Sequence, residues 1–176
     1  LKNHFFSVEA VLINKNIDYI KIKNNINSQC HINHIRKFKP DIIISSCSLI
    51  FGQDILRTPK IACINRHSAL LPAYGGIWPV LQSIADGNEF SGVSVHKMTE
   101  KIDEGKILSQ IKVKNTENNL SKIYKKCFEV SSDLILLAID NLIEGKFVTN
   151  SYKKSYYSFP SRERWELFRK NKGKFI

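Results

Sequence analysis

Apolar positions along the chain follow two periods. Phe5, Phe6, Val8, Val11 and Leu12 recur at helical steps, so a helix or its end is expected over residues 5–15. Tyr19-Ile20-Lys21-Ile22-Lys23 alternates, which predicts a short strand over residues 18–23. Asn27-Ser28 offers a cap, and Ile32, Ile35 and Phe38 follow at helical spacing. Pro40 ends that helix, because it lacks an N–H and restricts Lys39. Asp41 to Ser46 is then a compact β-branched run, and Lys60 to Asn65 is a second one. Continuous rather than alternating apolar strands suit a parallel sheet covered on both faces. Ser48 to Thr58 between them reads as a loop and a short helix. Strand, crossover, strand is the order of an α/β fold.

The second half departs from that order. Ala73-Tyr74-Gly75-Gly76 is a turn-rich stretch, followed by a helix through Trp78, Val80, Leu81, Ile84 and Ala85 that Gly87 stops. Residues 92–98 and 107–113 alternate, and their joining loop makes them an antiparallel edge on a mostly parallel sheet. Apolar residues then fall at steps of three and four from Leu120 to Glu144, the pattern of one long helix. No linker or repeat divides the chain. Residues 1–150 are expected to form one domain. Residues 151–176, rich in aromatics and cations, form a tail packing on it, and Ser161 can cap a last helix there.

Composition narrows the class. The 176 residues can bury a core unaided, and the run Ile42-Ile43-Ile44 is far too short for a membrane. The four cysteines, Cys30, Cys47, Cys63 and Cys127, form no CxxC pair. With no signal-peptide pattern at Leu1, the cytoplasm is the expected compartment. The charge is strongly basic, 27 Lys and Arg against 16 Asp and Glu, or +11. These cations are scattered, which suits solubility first, attraction to a small anionic substrate second, and nucleic acid third.

The most specific segment is Asn65-Arg66-His67-Ser68-Ala69-Leu70-Leu71-Pro72. It starts at the carboxyl end of a predicted buried strand, where open α/β sheets place their sites. Asn65 and His67 are two apart, so an amide donor and an imidazole face the same side. Together they can bind an oxyanion and handle a proton. Asp103, in the loop after Gly92-Val93-Ser94-Val95-His96, could orient His67. Read alone, the first segment is a turn with a satisfied polar pair, and Asp103-Glu104-Gly105 is a turn between strands. His96 reads as a support for the loop.

The ordered set of Asn-x-His, Leu-Leu-Pro, Gly75-Gly76, His96 with Asp103 and Gly105, and Gln110 resembles the folate-dependent formyltransferase family. That family includes glycinamide ribonucleotide formyltransferase, the catalytic domain of methionyl-tRNA formyltransferase, and sugar N-formyltransferases. Its pattern is Asn-x-His-x-Ser-Leu-Leu-Pro followed by His-x6-Asp-x-Gly. The resemblance implies a Rossmann-like sheet with Asn65, His67 and Asp103 as a catalytic trio. The formyl donor implied is 10-formyltetrahydrofolate, and the acceptor is a neutral amine. Asn65 would donate to the formyl oxygen, His67 would act protonated on the developing charge, and Asp103 would hold His67. Leu49, Ile50, Phe51 and Gly52 would meet the pterin, with Met98 closing the other side. No metal is implied.

Two departures accompany the resemblance. Ala69 stands where the family has Ser, and Ser68 is adjacent. The family domain also begins with a strand, a glycine turn, a helix and a second strand, and Leu1 enters after them, so the N-terminal part of the sheet is expected to be missing. A non-catalytic remnant with a folate-like cleft is therefore a rival to an enzyme, and a basic RNA-binding module a weaker one. The chain has no room for the C-terminal β-domain of the methionyl-tRNA enzyme, which favours an amine on a nucleotide-linked sugar. Tyr152 to Phe168 could stack on it, and Lys153, Lys154, Arg162 and Arg164 could attract a diphosphate. A membrane or nucleic-acid partner is not expected, and a tail contact leaves a homodimer open.

Overall fold

The computed structural model describes residues 7–22 and 25–176. Helix α1 (Val8–Asn14) is capped by Ser7, whose side chain accepts from the Ala10 amide. The expected start at Phe5 and Phe6 lies outside the described residues. Residues 18–22 form no strand, a correction to the alternation read there, and Lys23 lies outside the described residues. Alternation alone cannot make a strand without a partner edge. Tyr19 and Lys21 instead bind Glu9 at 2.7 and 2.8 Å.

Helix α2 (Gln29–Lys37) ends before Pro40 as expected. Strand β1 (Ile42–Ser45) leads through a loop to the short helix α3 (Gln53–Leu56) and then to strand β2 (Ala62–His67). β1 and β2 pair in parallel, with Ile44 beside Ile64 and Ser45 beside Asn65. Strand β4 (Phe90–Lys97) lies antiparallel to β2, and strand β5 (Ile107–Lys114) lies antiparallel to β4. The four-stranded sheet thus runs β1-β2-β4-β5, a mixed α/β arrangement with the antiparallel edge where the sequence places it. Among the described residues, one of its pairings is parallel and two are antiparallel. β1 is its outer strand, and Ile44 is 49% exposed rather than covered.

The main core lies on one face. Ile64, Val93, Val95 and Leu108 from the sheet pack under helix α4 (Pro79–Ala85), with Ile123, Leu134 and Phe168. The other face packs Ile43 against Ile26, Ile32 and Ile55. The long helical pattern divides into α5 (Leu120–Glu129) and α6 (Ser131–Ile143), which corrects the single helix expected over 120–144. At the junction Ser131 Oγ donates to the Cys127 carbonyl at 2.5 Å and accepts from Arg66 at 2.8 Å, a tertiary bond invisible in the apolar period.

The tail packs on α4. Residues 75–76 form a short β3 (Gly75–Gly76) paired in parallel with β6 (Tyr156–Tyr157). Helix α7 (Arg162–Lys170) is capped by Ser161, and Trp78, Trp165, Phe168 and Phe175 form one edge-on and stacked cluster. No helix among the described residues is long and apolar enough to cross a membrane. The thiols of Cys63 and Cys127 are pushed up to about 11 by burial, which makes both inert at neutral pH.

Candidate functional site

Alternation along β2 sorts its side chains. Cys63, Asn65 and His67 share one face, and Ala62, Ile64 and Arg66 share the other. Antiparallel register places His96 of β4 beside Asn65 and Ser94 beside His67. The Leu-Leu-Pro turn is pinned from below. Ser94 Oγ donates to the Ala69 carbonyl at 2.6 Å and accepts from the Leu71 amide at 3.1 Å. Gln110 Nε2 donates to the Leu71 carbonyl at 2.9 Å and to Ser94 Oγ at 2.7 Å. These bonds fix where the chain leaves His67.

Asp103 comes in from the β4–β5 loop with φ of 56°, and its side chain is 8% exposed. Its Oδ2 accepts from the Gly76 amide at 2.8 Å and lies 3.8 Å from His67 Nε2. Its Oδ1 lies 3.6 Å from His96 Nε2. Gly76 has φ of 91°, and a Cβ there would strike the Tyr157 carbonyl, so only glycine brings this amide to Asp103. Asn65 Nδ2 lies 3.3 Å from His96 Nε2, and Asn65 Oδ1 is buried with no partner. Asn65, His67 and Asp103 are therefore brought together, with His96 linking Asn65 to Asp103.

Hydrogen bonding assigns the protons. His96 Nδ1 faces the Lys97 carbonyl at 3.1 Å, so that nitrogen carries hydrogen. His67 Nε2 faces the Tyr74 carbonyl at 3.3 Å and the Asp103 carboxylate, so it too carries hydrogen. Burial lowers the His67 pKa more than the Asp103 charge and the Tyr74 carbonyl raise it, and the nearby His96 and Arg66 lower it further. Burial thus favours the neutral imidazole in the free protein, whereas the resemblance implies a protonated one during the reaction. Burial pushes Asp103 up, but the His96 imidazole, the His67 imidazole and the Gly76 amide outweigh it and hold the carboxyl below its ordinary value.

A cavity of about 240 Å³ opens above these groups. Asn65, His67 and Asp103 line its polar wall, and Leu49, Ile50, Phe51 and Met98 line its apolar one. Gly52 does not line it; its amide is held by Asn27 Oδ1 at 2.6 Å at the start of α3. Sequence reasoning missed the direct place of His96 in the cluster, because that depends on strand register. It also missed Tyr156, brought to the cavity by β6. A second cavity of about 430 Å³ shares Cys47, Ser48, His67, Gly76 and Ile77 with the first. His67 stands in the wall between them.

The tail cations are engaged elsewhere. Arg164 donates to Gln82 and to Asp86 at 2.6 Å, Arg162 pairs with Glu166 at 2.9 Å, and Lys154 pairs with Glu104 at 2.8 Å. Of that expected diphosphate set, Lys153 alone forms no ion pair among the described residues.

The sequence profile of a family described as formyl transferase matches residues 7–139. The bifunctional polymyxin resistance protein ArnA of Wigglesworthia glossinidia brevipalpis is 39% identical over 124 residues, covering 69% of this chain and 19% of that protein. A methionyl-tRNA formyltransferase of Syntrophomonas wolfei is 33% identical over 145 residues, 79% of this chain and 46% of that one. The chain thus spans less than half the length of these two curated relatives. Among solved structures, the formyltransferase PseJ from Anoxybacillus kamchatkensis aligns with a TM-score of 0.58 at 25% identity, covering 81% of this chain and 71% of that chain. It was solved with UDP-4,6-dideoxy-4-formamido-L-AltNAc and tetrahydrofolate.

Proposed function

Since a profile match over residues 7–139 means that the chain belongs to the formyl transferase family, we propose that it moves a formyl group from 10-formyltetrahydrofolate to a primary amine of a nucleotide-linked amino sugar. The observation that carries this reading is the convergence of Asn65, His67 and Asp103 on the polar wall of the first cavity, with His67 also lining the second. The folate fits the first cavity on the chemistry of its lining. At about 240 Å³ the space is below the ~300–1,000 Å³ of whole-ligand pockets and takes the flat head of a larger molecule. Leu49, Ile50, Phe51 and Met98 would cover the ring faces, and Asn65, whose buried Oδ1 has no partner, belongs to the polar wall beside them.

The folate supplies an activated formyl carbon. Asn65 Nδ2 has two hydrogens, one directed at His96 and one free to donate to an oxygen that gains charge. His67 keeps its hydrogen on Nε2, so the Nδ1 lone pair takes the proton of the attacking amine and returns it to the departing nitrogen. Asp103, ionised at 3.8 Å, stabilises the transient imidazolium. The sugar acceptor is supported by the ligand of the PseJ structure.

The test is a panel assay in which 10-formyltetrahydrofolate is offered with amino-sugar nucleotides, glycinamide ribonucleotide and methionyl-tRNA. Release of tetrahydrofolate with an amino-sugar nucleotide is expected. Turnover confined to glycinamide ribonucleotide would refute the sugar assignment, and no turnover with any amine would refute the reaction.

A further inference from the structure

Arg66 sits between the two reactive positions of β2 and points to the opposite face of the strand. There it is held rigidly. Its Nε donates to Ser131 Oγ and its Nη1 to Ser68 Oγ, both at 2.8 Å, and its guanidinium stacks 4.3 Å over the Phe128 ring. The residue is only 7% exposed, and its Nη2 is buried with no partner. No carboxylate pairs with it among the described residues. An isolated buried cation is costly, and the neutral hydroxyls of Ser68 and Ser131 do not neutralise it.

Arg66 also lines the second cavity with Ser68, Trp78, Tyr124 and Phe128, next to His67. The cavity is therefore walled by aromatic rings and by one guanidinium that no carboxylate neutralises, with its unpaired Nη2 buried behind that wall, and it borders the proposed proton acceptor. A guanidinium with a free N–H matches the geometry of a phosphate or carboxylate. We infer that the second cavity is the acceptor subsite, in which Arg66 binds an anionic oxygen group, phosphate or carboxylate, on the amine substrate. The anion is held on the Arg66 side and the amine lies against His67. This rests on the formyl-transfer reading and adds the anchor that the paired tail cations do not provide.

The whole chain labelled with ¹⁵N-arginine is titrated with inorganic phosphate and, separately, acetate, while Arg66 side-chain NMR signals are followed. Saturable shifts are expected. Saturation by phosphate alone identifies a phosphate group on the substrate, and saturation by acetate alone a carboxylate. In Arg66→Gln, affinity for the effective anion should fall about tenfold or more, the loss of one charge-assisted hydrogen bond. Arg66→Lys should restore part of it, and tetrahydrofolate binding should survive in both. Absence of any Arg66 shift in the unaltered chain overturns the inference even if the variants misfold. Formyl transfer to anionic amines that continues unchanged in Arg66→Gln overturns the subsite but leaves the reaction standing. Anion binding through Arg66 with no transfer to any amine supports the anion site and overturns the reaction.

Discussion

His67 Nε2 is flanked by two acceptors, so its chemistry resides in the proton state of Nδ1. Because burial outweighs Asp103, the folded pKa lies below the ordinary 6.5. The unfolded chain therefore takes up a proton near 6.5 before the folded one does, so acid favours unfolding. Stability from this residue is complete above 6.5 and is lost as pH falls through the folded value. Activity follows the same sign. kcat/KM, corrected for the fraction of neutral amine, should fall below 6.5 as Nδ1 fills, while Asp103 stays ionised. A profile from about pH 5 to 8 checks this, and a rise towards acid would contradict a neutral base. His67→Asn should lower kcat by a factor on the order of 10²–10⁴ while tetrahydrofolate affinity, read by fluorescence titration, stays within twofold. Weakened folate binding of the same size would instead make His67 a binding residue. Asn65 and His67 were legible because they lie two apart on one strand, and Asp103 only through the ordered family pattern, since its approach to His67 is long-range. Ser94, His96 and Arg66 were not, because their roles depend on β2–β4 register and on a contact spanning 65 residues to Ser131.

The elements were legible where pattern and punctuation agreed. Helix α2 ends before Pro40, α4 gives way to Gly87, and β4 and β5 fall where alternation places them. They were illegible where a tertiary partner decides, as at the Ser131 break and in residues 18–22. The β3–β6 pair belongs to the second group, since two residues carry no period. Yet it supports the site, because the Gly76 amide reaches Asp103 only while its backbone lies against Tyr157. Gly76→Ala should cost roughly 1–3 kcal/mol in urea unfolding and reduce formyl transfer together with stability. Gly145→Ala is the control. It also has positive φ, 71°, but nothing lies within 4 Å of its added methyl. It should cost about 1 kcal/mol from backbone strain and leave transfer unchanged. Equal activity loss in both variants would mean that the Gly76 effect is global destabilisation rather than displacement of Asp103.

At the scale of the molecule, strand–crossover–strand order predicted the α/β class, but it could not show which strand lies at the margin of the sheet. β1 is outermost, and no strand among the described residues pairs with its outer edge. Its β-branched Ile44 is half exposed there, the combination that templates pairing with another chain. The net charge of +11 opposes such contact between copies. Salt weakens this repulsion, because the screening length falls from ~10 Å at 0.1 M to ~3 Å at 1 M, while edge pairing survives. Self-association measured by light scattering should therefore rise with sodium chloride. Ile44→Lys should suppress that rise by placing a charge on the edge. Leu136→Lys adds the same charge at another exposed position, on α6, and should leave the rise in place. If association falls with salt, charge is its cause. If both lysine variants suppress it equally, the contact is not the β1 edge.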